Sequence, residues 1–158
     1  MQFNIDLNKL QKSYRLIQAE IHPDKFVSAS QIEKQQSLIK STEVNDAYQT
    51  LKDPIKRAKY LIQINLKSEQ NDSALPPDFL MQQMEWEEHL ESIWKQKKEL
   101  EKFQLVISKE YQKKLDDLEN ECDKNKNWND AAEIINKIQF IDKLNHKIMK
   151  QINMIETK

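Results

Sequence analysis

Residues 7–26 read LNKLQKSYRLIQAEIHPDKF, and the fold turns on how that run stops. Leu7, Leu10, Tyr14, Ile17 and Ile21 recur at spacings of three and four, the signature of one apolar helix face, with Asp6 placed to cap the start and Lys9, Lys12 and Arg15 on the other side. Pro23 disfavours helical geometry at the residue before it, so the helix ends at His22. A rigid ring, a histidine able to hydrogen bond on two sides and a small carboxylate then make a stiff polar knuckle.

Working outward, Ser30 and Glu33 have capping-box spacing and open a second helix that runs to about Leu51 through Ile32, Ile39, Ala47 and Tyr48. Asp53-Pro54 caps and starts a third, through Ile55, Ala58, Leu61 and Ile62. The polar, proline-closed stretch 67–77 reads as a linker. Three more helical patterns follow, about Phe79 to Lys97, about Leu100 to Cys122 and about Asn129 to Ile155, with a break at DKNKN. The last carries a seam of Ile134, Ile138, Ile141, Leu144, Ile148, Ile152 and Ile155, as in an antiparallel bundle.

Composition agrees. The 158 residues include no glycine, and 32% are charged, a balance that suits long surface helices and suits a sheet poorly. The expected fold is all-α, with residues 1–66 and 78–158 forming two domains. One cysteine, Cys122, lies in the polar run LENECDKNKN; it allows no internal disulfide, fits a reducing compartment and is read as a passive surface thiol. No apolar run approaches the ~20 residues of a membrane span, and the N-terminus lacks the build of a secretory signal, so a soluble intracellular protein is expected. Lys and Arg outnumber Asp and Glu ten to seven over residues 1–66 and are outnumbered fifteen to nineteen beyond, without the basic stripe of a nucleic-acid binder.

Tyr14-Arg15, HPDK at 22–25 and VNDAYQTLKDPIKRAKY at 44–60 together resemble the J domain of DnaJ-type co-chaperones. The resemblance implies that His22, Pro23 and Asp24, supported by Lys12, Arg15 and Lys25, dock on a DnaK-type chaperone and trigger its ATP hydrolysis. Two departures stand out: Glu20 occupies a position that is often basic, and the chain starts where a short first J-domain helix should already have ended, so that helix is expected to be missing.

At roughly 100° per residue, Phe79, Trp86, Leu90, Ile93 and Trp94 share one arc, read as core. Leu80, Met81, Met84, Glu85 and Glu88 share the next arc, apolar at one edge and acidic at the other, and residues 78–91 hold five carboxylates and no lysine or arginine. That arc is either a solvated edge of the core or a docking surface. FLMQQMEWEEHLE, WNDAAEIINKIQFIDKL and the HPDKF form of the loop resemble the HscB family of iron–sulfur cluster co-chaperones. This implies an L-shaped molecule whose three-helix bundle holds the cluster scaffold protein IscU through Leu80, Met81, Met84, Glu85, Glu88 and Phe140, and delivers it to the chaperone HscA. The implied state is a monomer in the bacterial cytoplasm or the mitochondrial matrix.

No cofactor or metal is expected: His22, His89 and His146 lie far apart and share no ligand spacing with Cys122, and any cluster would belong to the partner. The adjacent pairs Asp116-Asp117 and Glu87-Glu88 diverge on a helix and make no acid–base dyad, so no enzymatic activity is expected. Two other readings remain at this stage, a J protein for a different client and a helical adaptor in which HPD is only a loop.

Overall fold

The computed structural model describes residues 2–66 and 75–157. Its elements are α1 (Leu7–Ile21), a 3₁₀ turn (Pro23–Phe26), α2 (Gln31–Lys52), α3 (Pro54–Leu66), α4 (Pro77–Ser92), α5 (Lys97–Glu119) with a π-helical extension (Asn120–Asn125), and α6 (Trp128–Glu156). The fold is all-α, and the described residues include no strand. Two compact units divide at Leu61/Ile62, inside α3. Of the expected linker at 67–77, residues 67–74 lie outside the described residues, while Leu75 and Pro76 lead into α4.

In the first unit, local signals set the helix ends. The Asp6 carboxylate accepts from the N–H groups of Asn8 and Lys9 at 2.9 and 3.0 Å. Ser30 and Glu33 form the reciprocal capping box, and the hydroxyl and backbone N–H of Ser30 hold the Glu33 carboxyl below its ordinary pKa. Asp53 accepts from Ile55 and Lys56 N–H at 2.8 and 2.9 Å, opening α3.

Packing between α1 and α2 departs from the sequence expectation. No α1 residue is buried, and Ser37 is the buried residue of α2. Ile32, Ile39 and Ala47, expected along the packed side of α2, are exposed. The two helices are joined by polar groups. The Ser37 hydroxyl donates to Ile21 O at 2.7 Å, Gln18 and Ser41 exchange bonds of 3.1 and 3.0 Å, Tyr14 OH donates to Asn45 at 3.3 Å, and the Tyr14 and Tyr48 rings stack at 4.1 Å. Tyr48, a residue of the expected run, packs on α1, but the positions that continue its face, 37, 41 and 45, are polar, so apolar periodicity missed them. Below the ladder, buried Arg57 donates to the carbonyls of Phe3, Leu51 and Lys52 and lies 5.2 Å from the Phe3 ring centre.

The second unit is a bundle of α4, α5 and α6 around Phe79, Leu90, Ile93, Leu100, Phe103, Ile107, Ile141, Leu144 and Ile148. Each such side chain contributes about 1.5–3 kcal/mol on leaving water. On α6 the buried residue near the start is Ile135; Ile134, assigned to the seam by its spacing, is half-buried. α4 ends at Ser92, earlier than its sequence pattern, and α5 begins at Lys97. The cause is distant in sequence: Gln151 of α6 donates its side-chain amide to Trp94 O at 2.8 Å, and Gln96 N–H closes the turn on Ile93 O at 2.8 Å.

Cys122 is not a surface thiol. It is 0% exposed, and its loss of water on burial pushes its pKa up from 9.0 to about 11. Its placement comes from the π-helical extension, which ends at Lys126 with φ 56°, a left-handed residue in a chain without glycine. Lys126 Nζ returns to Cys122 O at 2.9 Å, and Asn127 N–H donates to Glu121 O at 3.1 Å, satisfying the carbonyls freed at the helix end.

Candidate functional site

The histidine-proline-aspartate knuckle is a turn held mainly by its own atoms. His22 leaves helical geometry at ψ 133°, its N–H still donates to Gln18 O at 2.9 Å, and its carbonyl accepts from Lys25 N–H at 3.0 Å. Its Nδ1 accepts from Asp24 N–H at 3.3 Å and lies 3.4 Å from the Asp24 carboxylate. The His22 side chain is 52% exposed and that of Asp24 88%, so an imidazole edge and a carboxylate stand ready for a partner.

Arg15 on α1 and His22 just past its end, seven residues apart, line one groove of about 450 Å³ together with Tyr14, Gln18, Ser41, Thr42 and Asn45. Lys12 and Arg15 border the next hollow along the helix. Among the described residues Lys12, Arg15 and Lys25 have no carboxylate partner, so their charge is uncompensated within the unit. The structure therefore brings Arg15 and His22 to one groove, with Lys12 beside it and Lys25 exposed on the turn. Sequence reasoning missed Gln18, Ser41 and Asn45, which fix the groove walls; their signal was the polar row on α2.

In the bundle, Leu80, Met81 and Met84 are 45%, 64% and 65% exposed, although the core beside them is closed. Asp78, Glu85, Glu88 and Glu91 are exposed on the same helix and form no ion pair among the described residues, whereas Glu87 pairs with Lys147. Phe140 differs from the other residues expected to act with it. It is half-buried, stacked on Trp86 at 6.4 Å and edge-on to Phe79 at 6.1 Å, so α6 supplies a wedge against the inner side of α4.

The remaining candidates disperse. Glu87 turns to Lys147 while Glu88 does not; Asp116 accepts from Gln112 and Asp117 from Lys114. His89 packs edge-on to Phe103, and His146 lies beside its own helix at Asp142. Among the described residues no group of three or more histidine, cysteine, aspartate or glutamate side chains converges to hold a metal ion. No described helix is long and apolar enough to cross a membrane.

Comparison with known proteins matches this division. The DnaJ domain family model covers residues 2–60, and the model described as the HSCB C-terminal oligomerisation domain covers residues 75–149. The co-chaperone protein HscB homolog of Photobacterium profundum is 37% identical over 153 residues, spanning 93% of this chain and 88% of that protein. Its counterpart in Paraburkholderia phymatum is 36% identical over 160 residues, spanning 98% and 90%. Among solved structures, chaperone HscB from Vibrio cholerae superposes with a TM-score of 0.83 at 32% identity, covering 98% of this chain and 93% of that one. The human co-chaperone protein HscB gives 0.85 at 29% identity, covering 94% and 75%.

Proposed function

The chain belongs to the HscB family of J-type co-chaperones of iron–sulfur cluster biogenesis, and on that premise we propose that it loads the cluster scaffold protein IscU onto the DnaK-type chaperone HscA and stimulates ATP hydrolysis there. The observation that carries this reading is the exposed trio Leu80, Met81 and Met84 beside a closed core. Apolar surface left out of a completed core and rimmed by charge fits a docking role. Glu85 and Glu88 supply the rim that selects a basic partner surface, and Phe140, held by Trp86 and Phe79, supplies a rigid flank.

In the first unit His22, Pro23 and Asp24 engage the chaperone, with Lys12, Arg15 and Lys25 attracting an acidic surface. In this reading residues 1–66 form the chaperone-facing J domain, residues 78–158 form the scaffold-facing bundle, and ATP is hydrolysed by the partner. Carrying both partners on one chain raises their effective concentration for each other. The bacterial relatives favour the cytoplasm over the mitochondrial matrix as the compartment.

The test has two arms. Single-turnover ATP hydrolysis by HscA in the presence of IscU should accelerate on adding this protein and stay at its basal rate with the His22→Gln variant. Calorimetric titration of IscU should weaken by roughly 10–100-fold when Leu80, Met81 and Met84 are all replaced by alanine, the loss expected for truncating a few anchoring side chains. Unchanged affinity with helicity intact rejects the patch, and equal stimulation by the His22 variant rejects the turn.

A further inference from the structure

The docking face proposed on α4 runs on to the end of that helix. At ~100° per residue, Glu91 and Ser92 fall on the arc of Met84 and Glu88, so the last turn carries the face to the α4–α5 turn. There Glu91, Ser92, Trp94, Lys95, Gln96 and Lys147 line a groove of about 650 Å³. Its walls are fixed from within the bundle. Gln151 holds the Trp94 carbonyl at 2.8 Å, the Gln96 side-chain amide donates to Ser92 O at 3.3 Å, and Lys147, paired with Glu87, lies 5.9 Å from the Trp94 ring centre. A half-buried indole thus lines the groove in a set position.

The groove carries charges of both signs that are not joined. Glu91 and Lys95 are exposed and stand four residues apart, yet among the described residues neither forms an ion pair. On an unbroken helix that spacing favours a pair, as between Lys97 and Glu101 at 3.8 Å. α4 stops at Ser92, so the two groups sit on different stretches of backbone and each keeps its charge for a partner. Lys95 is also the first lysine or arginine after the five carboxylates of residues 78–91, so the sign of the face changes at the groove. We propose that this groove is the orienting end of the α4 docking face: the partner sets a basic side chain against Glu88 and Glu91, an acidic side chain on Lys95 and an apolar stem on the Trp94 indole. The inference rests on the reading that α4 docks the scaffold protein, and it adds the order of charges that the docked segment carries, basic along α4 and acidic beyond it. A run of carboxylates alone attracts a basic surface in either direction, whereas one cation at a fixed end admits a single direction and repels a surface that is basic throughout. Trp94 supplies a rigid aromatic anchor of the kind in which binding energy concentrates.

Calorimetric titration of the full chain with IscU tests the order of charges. Exchanging the two, Glu91→Lys with Lys95→Glu, keeps the net charge and should weaken binding by roughly tenfold at about 0.02 M salt, because two exposed ion contacts each turn from attraction to repulsion. At about 1 M salt, where the Debye length is only ~3 Å, the difference from the natural chain should shrink. Zero-length carbodiimide coupling of the natural pair should join Lys95 Nζ to an aspartate or glutamate of IscU, mapped by peptide mass spectrometry, and Lys95→Gln should abolish that link. An exchanged variant that binds as well as the natural chain overturns the proposal, as does a coupled complex without a Lys95 link. The triple alanine variant of Leu80, Met81 and Met84 separates the groove from its premise: if that variant weakens and the exchanged one does not, the groove falls and the docking face stands. A natural chain that binds no IscU removes both. Circular dichroism checks each fold; should the exchanged variant lose helicity, Glu91→Gln with Lys95→Gln replaces it, with a loss of about threefold expected.

Discussion

The α1–α2 hairpin and the C-terminal bundle are both helical, yet they are held by different chemistry. In the bundle a cluster of nine buried apolar side chains forms a core, three of them from α6. Between α1 and α2 the described contacts include hydroxyl and amide hydrogen bonds and one pair of stacked tyrosine rings, and no α1 residue is fully buried. Burying one apolar side chain stabilises by roughly twice the net worth of one exchanged hydrogen bond, and the bundle buries many, so the bundle is the anchor and the hairpin the yielding part. The histidine-proline-aspartate turn therefore lies on the softer unit, while the exposed methionine face lies on the stiffer one.

Four measurements test this contrast, beginning with the largest effect. Ile138→Ala removes a fully buried side chain of α6 and should cost about 2–5 kcal/mol, seen as faster native-state hydrogen exchange across α5 and α6. A loss under ~1 kcal/mol would mean the core is not tightly packed. Arg57→Leu leaves three backbone carbonyls without their donor and should cost about 3 kcal/mol in α1–α3 protection, given ~1.5–3 kcal/mol per charged hydrogen bond. Ser37→Ala should cost about 1 kcal/mol and speed exchange in α1 while leaving the bundle unmoved. If it rivals Ile138→Ala, the contrast fails.

The smallest effect is a pH response of the bundle. Burial raises the Cys122 thiol from 9.0 to about 11, so the folded chain keeps that proton longer than the unfolded chain. Its contribution is complete below pH 9 and disappears as the pH climbs through about 11. The urea midpoint should fall across that window in the natural chain and fall less in Cys122→Ala. Alkylation of the native thiol at pH 8 should be far slower than in urea.

Legibility in the sequence followed the range of the interactions. The caps at Asp6, Ser30 and Asp53 act over two or three residues, and local reading finds them. Periodicity placed Phe79, Leu90, Ile141, Leu144 and Ile148 in the core, and the same phase set Leu80, Met81 and Met84 apart. The end of α4 escaped because its turn is fixed by Gln151, fifty-seven residues beyond Trp94. The inner face of α2 escaped because it is polar. Cys122 escaped because its polar sequence neighbours say nothing of what α6 brings over it. The half-buried state of Phe140 likewise depends on Trp86 and Phe79, from a helix far away in the chain.

The left-handed backbone at Lys126 has a consequence for which residues that position accepts. Any side chain with a Cβ visits that region only a few per cent of the time, and holding it there costs about 1–3 kcal/mol. The corner is nonetheless needed for α6 to return along α5, since the π-helical extension of α5 is followed by Lys126 and Asn127 alone before α6 begins. The contacts of Lys126 Nζ and Asn127 N–H with the carbonyls of Cys122 and Glu121 offset part of that cost. A glycine-free chain thus places the one left-handed residue among those described at the corner of its bundle, distant in sequence from both the histidine-proline-aspartate turn and the methionine face.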